Sequence, residues 1–183
     1  MRQIFTYDPR TILLPVTIFS LIIISSCSDS SKPSTLIYSQ DGIIYSQATD
    51  EPYTGRIVDT IANRIIKYEV KEGLKNGVFI IYFLDGKTAI YGKIKDNKNV
   101  GKWSYYYPNG KLESEGCFKN DIVINKWIWY YPNGEKKEEG SFINGKREGI
   151  WKIYKENGTL KSNIFFKEGN VINTIDLKPS TIS

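Results

Sequence analysis

Val100-Gly101-Lys102-Trp103-Ser104-Tyr105-Tyr106-Tyr107-Pro108-Asn109-Gly110-Lys111-Leu112-Glu113-Ser114-Glu115-Gly116-Cys117-Phe118-Lys119-Asn120 is the clearest copy of a unit that recurs every 24 residues without an insertion. Phe79, Trp103, Trp127 and Trp151 form one column; Tyr82, Tyr106, Tyr130 and Tyr154 form a second; Gly86, Gly110, Gly134 and Gly158 form a third. Gly92, Gly116 and Gly140 keep the same spacing, as do Ile94, Phe118, Phe142 and Phe166. Five columns in one register exclude composition bias. The chain is therefore a repeat array.

No helix fits the unit. Pro108 and Pro132 sit near element ends, glycines recur, and aromatic residues alternate at period two. Each unit reads as a seven-residue strand, an Asp-Gly or Asn-Gly turn and a return strand, opened by a loop such as Lys119-Asn120-Asp121. With Asn109-Gly110 at the turn centre, cross-strand partners have numbers summing to 219. Trp103 then faces Gly116, Tyr105 faces Ser114, Tyr107 faces Leu112 and Gly101 faces Phe118. The opposite face receives Lys102 with Cys117, Ser104 with Glu115, and Tyr106 with Glu113.

One face is thus apolar and the other polar. The same arithmetic pairs Phe79 with Gly92, Trp127 with Gly140 and Trp151 with Ile164. A large ring over a strand glycine stabilises that glycine, which accounts for both columns together. Phe79, Trp103, Trp127 and Trp151 are therefore expected as the repeat core. The Tyr82, Tyr106, Tyr130 and Tyr154 ladder, placed among charges, is the candidate binding face. The expected fold is all-β: an elongated antiparallel β-meander of tandem 24-residue hairpins. Curling of the sheet, the segment 36–66, a second copy or a ligand could each cover its apolar face.

Around this array the chain divides into five parts. Residues 1–26 carry Arg2, Asp8 and Arg10, then an apolar run from Thr11 to Ile24 that is too short for a spanning helix of about 20 residues, so they read as an export signal. Ile24-Ser25-Ser26-Cys27 resembles a bacterial lipobox, which makes Cys27 the expected lipidation site and the membrane the expected partner of the N-terminus. Residues 27–35 are a polar tether. Residues 36–72 hold a hairpin around Asp41-Gly42 and a degenerate capping pair around Ala62-Asn63-Arg64. Residues 73–168 are four repeats, and 169–183 supply a last edge strand, Val171 to Leu177, and a tail. Ser28 after Cys27 resembles lipoproteins sorted to the outer membrane, so a cell-envelope location is expected.

Several chemistries are disfavoured. The chain has no histidine, which removes the commonest general base, the usual triads and most zinc sites. No metal or other cofactor is expected. The net charge of +5 is modest and its lysines are scattered through the turns, so no nucleic-acid partner is expected. With Cys27 lipidated, Cys117 is left unpaired.

Gly-Lys-Trp-x-x-Tyr-Tyr-x-Asn-Gly-Lys from Gly101 to Lys111, and Glu-Gly-x-Phe-x-Asn-Gly-Lys from Glu139 to Lys146, resemble the MORN-repeat variant family of bacteria. Pro52-Tyr53-Thr54-Gly55 resembles the short motif that often precedes the first such repeat. Asn125, Glu135 and Ile150 depart from the pattern, and Asp121-Ile122-Val123-Ile124 replaces the usual polar loop, giving an expected apolar bump on the loop edge. The resemblance implies a β-repeat scaffold, and such chains are often labelled antitoxin components. The expectation drawn from the whole sequence is an exported, lipid-anchored, non-catalytic module that binds a protein or an envelope glycan, in an unspecified oligomeric state. The alternatives are an antitoxin against a partner toxin, which an export signal argues against, and a carbohydrate-active enzyme using Glu115 and Glu139. Those carboxylates lie two strands apart, about 9.5 Å, but in a lysine-rich face with no desolvating pocket expected.

Overall fold

The computed structural model describes residues 36–177. They form thirteen strands and no helix among the described residues. β1 (Ile37–Gln40) and β2 (Ile43–Ser46) pair as a small hairpin. The other eleven follow one another as an open antiparallel meander. They are β3 (Gly55–Ile61), β4 (Arg64–Lys71), β5 (Leu74–Phe83), β6 (Thr88–Lys95), β7 (Lys98–Tyr106), β8 (Leu112–Lys119), β9 (Ile122–Tyr130), β10 (Lys136–Ile143), β11 (Lys146–Tyr154), β12 (Leu160–Lys167) and β13 (Asn170–Asp176). The all-β meander of successive hairpins is the fold expected from the repeat.

Trp103 pairs with Gly116, Tyr105 with Ser114, Ser104 with Glu115, Lys102 with Cys117 and Gly101 with Phe118, as the summed numbering requires. Near the turn the register departs from it, because Tyr106 pairs with Leu112 and Glu113 is skipped. The turn itself is the cause. The Gly110 N–H donates to the Tyr107 carbonyl and the Tyr107 N–H to the Lys111 carbonyl, so Pro108 and Asn109 are the central residues. Gly110 follows at φ +84°, in the left-handed bulge that ends a three-residue hairpin loop. Two-residue turns with both φ values positive occur on this edge only at Ala62-Asn63, between β3 and β4, among the described residues, and otherwise lie on the other edge of the sheet, at Asp96-Asn97 and Asn120-Asp121 among others. That edge has no loop opening each unit, and β7 and β9 are nine residues long instead of seven. Ile122, Val123 and Ile124 accordingly belong to β9; the apolar bump assigned to a loop is part of a strand.

The tryptophans lie over glycines, but over different ones from those paired in the same hairpin. A Cβ on Gly92 would collide with the ring of Trp103, one on Gly116 with Trp127, and one on Gly140 with Trp151. Each ring therefore caps the glycine 11 residues before it, on the preceding hairpin. A bulge puts it there. Lys93 pairs with Val100 but Tyr91 with Ser104, so Gly101, Lys102 and Trp103 together oppose Gly92. Gly101 opens this bulge at φ +66°, and Asn125 does the same at +59° before Trp127, a conformation that asparagine tolerates better than most residues. Each indole N–H then donates to a carbonyl of the same preceding strand: Trp103 Nε1 to Lys93 at 3.2 Å, Trp127 to Cys117 at 3.3 Å and Trp151 to Ser141 at 3.3 Å.

The apolar face covers itself. Phe118 meets Trp127 edge-on at 5.3 Å between centroids, and Phe142 meets Trp151 at 5.1 Å, each at 90°. Trp127 is 1% exposed and Trp151 0%, with no second layer of strands above them among the described residues. At the N-terminal end Ile37 and Ile44 of the small hairpin pack on Ile57 and Val70, so that β1–β2 is a cap.

Replacing Gly116 by alanine forces the Trp127 ring off its seat and is expected to cost about 3 kcal/mol in urea denaturation, the upper end of ordinary overpacking. Combining it with Trp127→Ile should recover part of that loss. Strict additivity of the two changes would show that ring and glycine are not coupled.

Candidate functional site

Tyr82, Tyr106, Tyr130 and Tyr154 lie on the face opposite the tryptophans, all half-buried. Cross-strand pairing places Lys67, Ile80, Tyr91, Ser104, Glu115, Ile128, Glu139, Lys152 and Asn163 side by side along this face. Lys67 sits over the Tyr82 ring, 5.0 Å from its centroid. Lys102 Nζ meets Glu115 at 2.7 Å, and one unit later Lys126 Nζ meets Glu139 at 2.8 Å. The bulge that seats each tryptophan also projects these lysines onto the opposite face, one residue before the ring.

The four tyrosines are not equivalent. Tyr154 donates its hydroxyl to Glu139 Oε1 at 2.6 Å, and Lys136 adds a contact to Oε2 at 3.1 Å. Burial disfavours the Glu139 carboxylate, but the bonds from Lys126, Tyr154 and Lys136 outweigh it and hold the pKa at about 2. Burial, then the bond to Glu139, pushes the Tyr154 phenol up to about 12. Glu139 is therefore an ionised, fully engaged carboxylate, suited to holding β9, β10 and β11 together. It is not a proton donor near neutral pH.

Tyr106 has a different setting. With Tyr91, Thr88, Lys87, Gly86 and Gly110 it lines a shallow depression of about 480 Å³ beside the Leu84-Asp85-Gly86 and Pro108-Asn109-Gly110 turns. Tyr91 is exposed there, in the row position that Glu115 and Glu139 occupy in the next units. Sequence columns missed Tyr91, since it breaks its column. A second depression, about 220 Å³, lies between Lys102 and Lys126, with Glu115, Gly116, Cys117 and Ile128 around it. Cys117 is a free, half-buried thiol; Cys27 lies outside the described residues. No group of three or more acidic or cysteine side chains able to hold a metal occurs among the described residues.

The depressed pKa of Glu139 has a pH signature. Its stabilisation, roughly 3 kcal/mol for a shift from 4.5 to about 2, is full above pH 4.5 and lost as the pH falls towards 2. Glu139→Gln should be less stable than the parent at pH 6 by 2–3 kcal/mol, on the order of that linkage term, with the gap closing at low pH. A gap that stays constant in urea titrations from pH 6 to pH 2 would refute this reading.

The profile of the MORN repeat variant matches residues 99–120, 125–144 and 147–168. Each match spans one hairpin, β7–β8, β9–β10 or β11–β12, and contains its Trp-bearing bulge and its proline- or asparagine-containing turn. No curated protein matches the sequence. Residues 99–168 thus carry three repeats of the MORN repeat variant family.

Proposed function

We propose that the chain is an exported, lipid-anchored binding module whose tyrosine and lysine face recognises a protein or an envelope glycan without catalysing a reaction. The observation that carries the reading is the near-complete burial of Trp127 and Trp151 by their own array. Internal packing uses up the tryptophan face, leaving the face with Tyr82, Tyr91, Tyr106 and Tyr130 as the broad surface for contacts. Tyrosine suits such a surface because it offers large area, a polar tip and little rotamer entropy to lose.

The N-terminal pattern supports a location at the cell envelope. A charged start, a short apolar run and Ile24-Ser25-Ser26-Cys27 support cleavage before Cys27 and its acylation, with Ser28 favouring the outer membrane. Residues 27–35 then tether the sheet to the bilayer surface. Against an enzyme stands Glu139, whose ion pairs and tyrosine bond leave no free carboxylate to work opposite Glu115.

Cys27→Ala should shift the protein from the membrane fraction to the soluble fraction of its host. Membrane fractionation unchanged by that substitution would rule out the anchor. For the binding face, Tyr91→Ser with Tyr106→Ser should reduce co-sedimentation of the chain from residue 28 with cell envelopes at least tenfold, at unchanged melting temperature. Retention equal to the parent would move the site elsewhere.

A further inference from the structure

The cross-strand pair that flanks each tight turn holds one lysine in four places. Lys71 stands opposite Leu74, Lys119 opposite Ile122, Lys146 opposite Ile143 and Lys167 opposite Asn170. Between β6 and β7 the same pair is Lys95 opposite Lys98. Like charges directly opposite one another destabilise a ladder. Two residues inward on β6 comes Lys93, in a position that Cys117, Ser141 and Phe165 hold in later units. Lys93 pairs with Val100, and Val100 with Lys119 on β8. Lysines that are scattered in the sequence are thus gathered by the register onto one patch.

The patch has no counter-charge of its own. Lys93, Lys95, Lys98 and Lys119 are exposed and form no ion pair with a described acidic side chain, whereas Lys102, the next lysine on this face, is taken by Glu115. The carboxylates of the flanking turns are held elsewhere: Asp96 accepts from Asn76 Nδ2 at 2.9 Å, and Asp121 from the Asn99 N–H at 2.8 Å. Even with both counted, four lysines against two carboxylates leave a positive surplus. Alternation along β6 puts Tyr91 on the same face as Lys93 and Lys95. Tyr91, 41% exposed, is the only exposed tyrosine among the described residues.

The residues that depart from the repeat on β6 and β7 therefore combine an open aromatic ring with unneutralised cations. Given the tyrosine and lysine face as the recognition surface, on which this rests, we propose that β6–β8 bind an acidic glycan, a chain of sugar rings carrying carboxylate or phosphate groups. One ring lays its C–H face on Tyr91 in the depression beside Tyr106. The acidic groups of the following rings lie over Lys93, Lys95 and Lys98, along the four residues, or about 13 Å, from Tyr91 to Lys95. Lys119 closes the far side, two strands or about 9.5 Å from Lys93, with Val100 as an apolar floor between them.

Other polyanions match the patch less well. β6 and β7 are interior strands paired on both sides, so an acidic peptide cannot add as a strand, and its backbone groups find no partner on a face made of side chains. Single-stranded nucleic acid stacks on successive open rings, and here one ring is open. A flat anionic bilayer meets lysine tips but not a ring set in a depression. A glycan offers a C–H face to the tyrosine, anions to the lysines and hydroxyls that stay in water.

The test titrates the full-length protein, in a neutral detergent, with polygalacturonate and with phosphomannan. At least one should bind, with an affinity that falls as salt is added, and the uncharged counterparts, methyl-esterified polygalacturonate and plain mannan, should bind about tenfold more weakly. Lys93→Gln with Lys98→Gln should weaken binding about tenfold at unchanged melting temperature, as should Tyr91→Ser; Lys161→Gln with Lys167→Gln, the same charge removed from β12, should not. Binding of neither acidic glycan overturns the proposal. So do equal binding of the uncharged counterparts, equal loss with the β12 pair, and tighter binding of polyglutamate, oligothymidylate or phosphatidylglycerol vesicles. Sedimentation with cell envelopes separates the two readings. If Tyr91→Ser with Tyr106→Ser abolishes it and Lys93→Gln with Lys98→Gln leaves it intact, the binding face stands and the acidic glycan falls; if both variants are retained like the parent, both fall.

Discussion

A single open sheet has no second layer to bury its apolar face, and this array meets that constraint by interlocking Trp103 with Gly92, Trp127 with Gly116 and Trp151 with Gly140. The glycine supplies the space and the bulge supplies the angle. Without the left-handed residue at Gly101, Asn125 or Gly149, Trp103, Trp127 and Trp151 would stand over their own hairpins instead of reaching back to the previous one. Stability is therefore held between units as much as within them, as a one-dimensional repeat requires. The ends obey the same rule: Phe79 finds Tyr68 in place of a glycine and stacks on it at 6.1 Å, and the last unit drops tryptophan and glycine together.

The two edges of the sheet reinforce this coupling by different means. On the Pro-Asn-Gly edge, the Tyr107 hydroxyl donates to the Tyr130 carbonyl at 2.7 Å and Asn109 Nδ2 to the Pro132 carbonyl at 2.9 Å. Tyr131 and Asn133 repeat both bonds one unit on, to Tyr154 and Glu156. Asp85 cannot donate in this way, and Lys87 bridges to the Pro108 carbonyl instead. On the opposite edge the Asp121 N–H donates to the Asn99 carbonyl and Asp121 Oδ1 accepts from the Asn99 N–H, which ties each tight turn to the one before it. These bonds satisfy turn groups that would otherwise rely on water.

Strand existence, hairpin order and the two faces were legible from the 24-residue period, because alternation and turn residues are local properties. The seat of each tryptophan was not read from hairpin arithmetic, which assumes an unbroken ladder and so cannot see a two-residue slip at Gly92. A signal was present nonetheless. Pairing within the hairpin leaves Trp151 opposite Ile164, whereas an offset of 11 matches Trp103, Trp127 and Trp151 to Gly92, Gly116 and Gly140, with no member of either column left over. Gly101, Asn125 and Gly149 ahead of the tryptophans marked the same bulge. On the polar face, the tyrosine column was visible but Tyr91 was not, since a residue that breaks a repeat carries no periodic signal.

Departures from the repeat distinguish one stretch of the proposed binding face from the next. Interlocking fixes the tryptophan face from unit to unit, so differences between units collect on the other face. The row position next to the tyrosines holds Tyr91, Glu115, Glu139 and Asn163 in successive units. Partners change with it: Lys102 and Lys126 accompany the two glutamates, while Ile150 accompanies Asn163, whose Oδ1 is buried with no hydrogen-bond partner. Where the glutamate is fully engaged, as at Glu139, the surface is closed by its own ion pairs; where tyrosine replaces it, at Tyr91, the surface opens into a depression. A ligand spanning several units would therefore meet a graded surface, aromatic and open at β6–β7 and ionic and closed at β10–β11. Its position along the array would be set by residues that depart from the repeat.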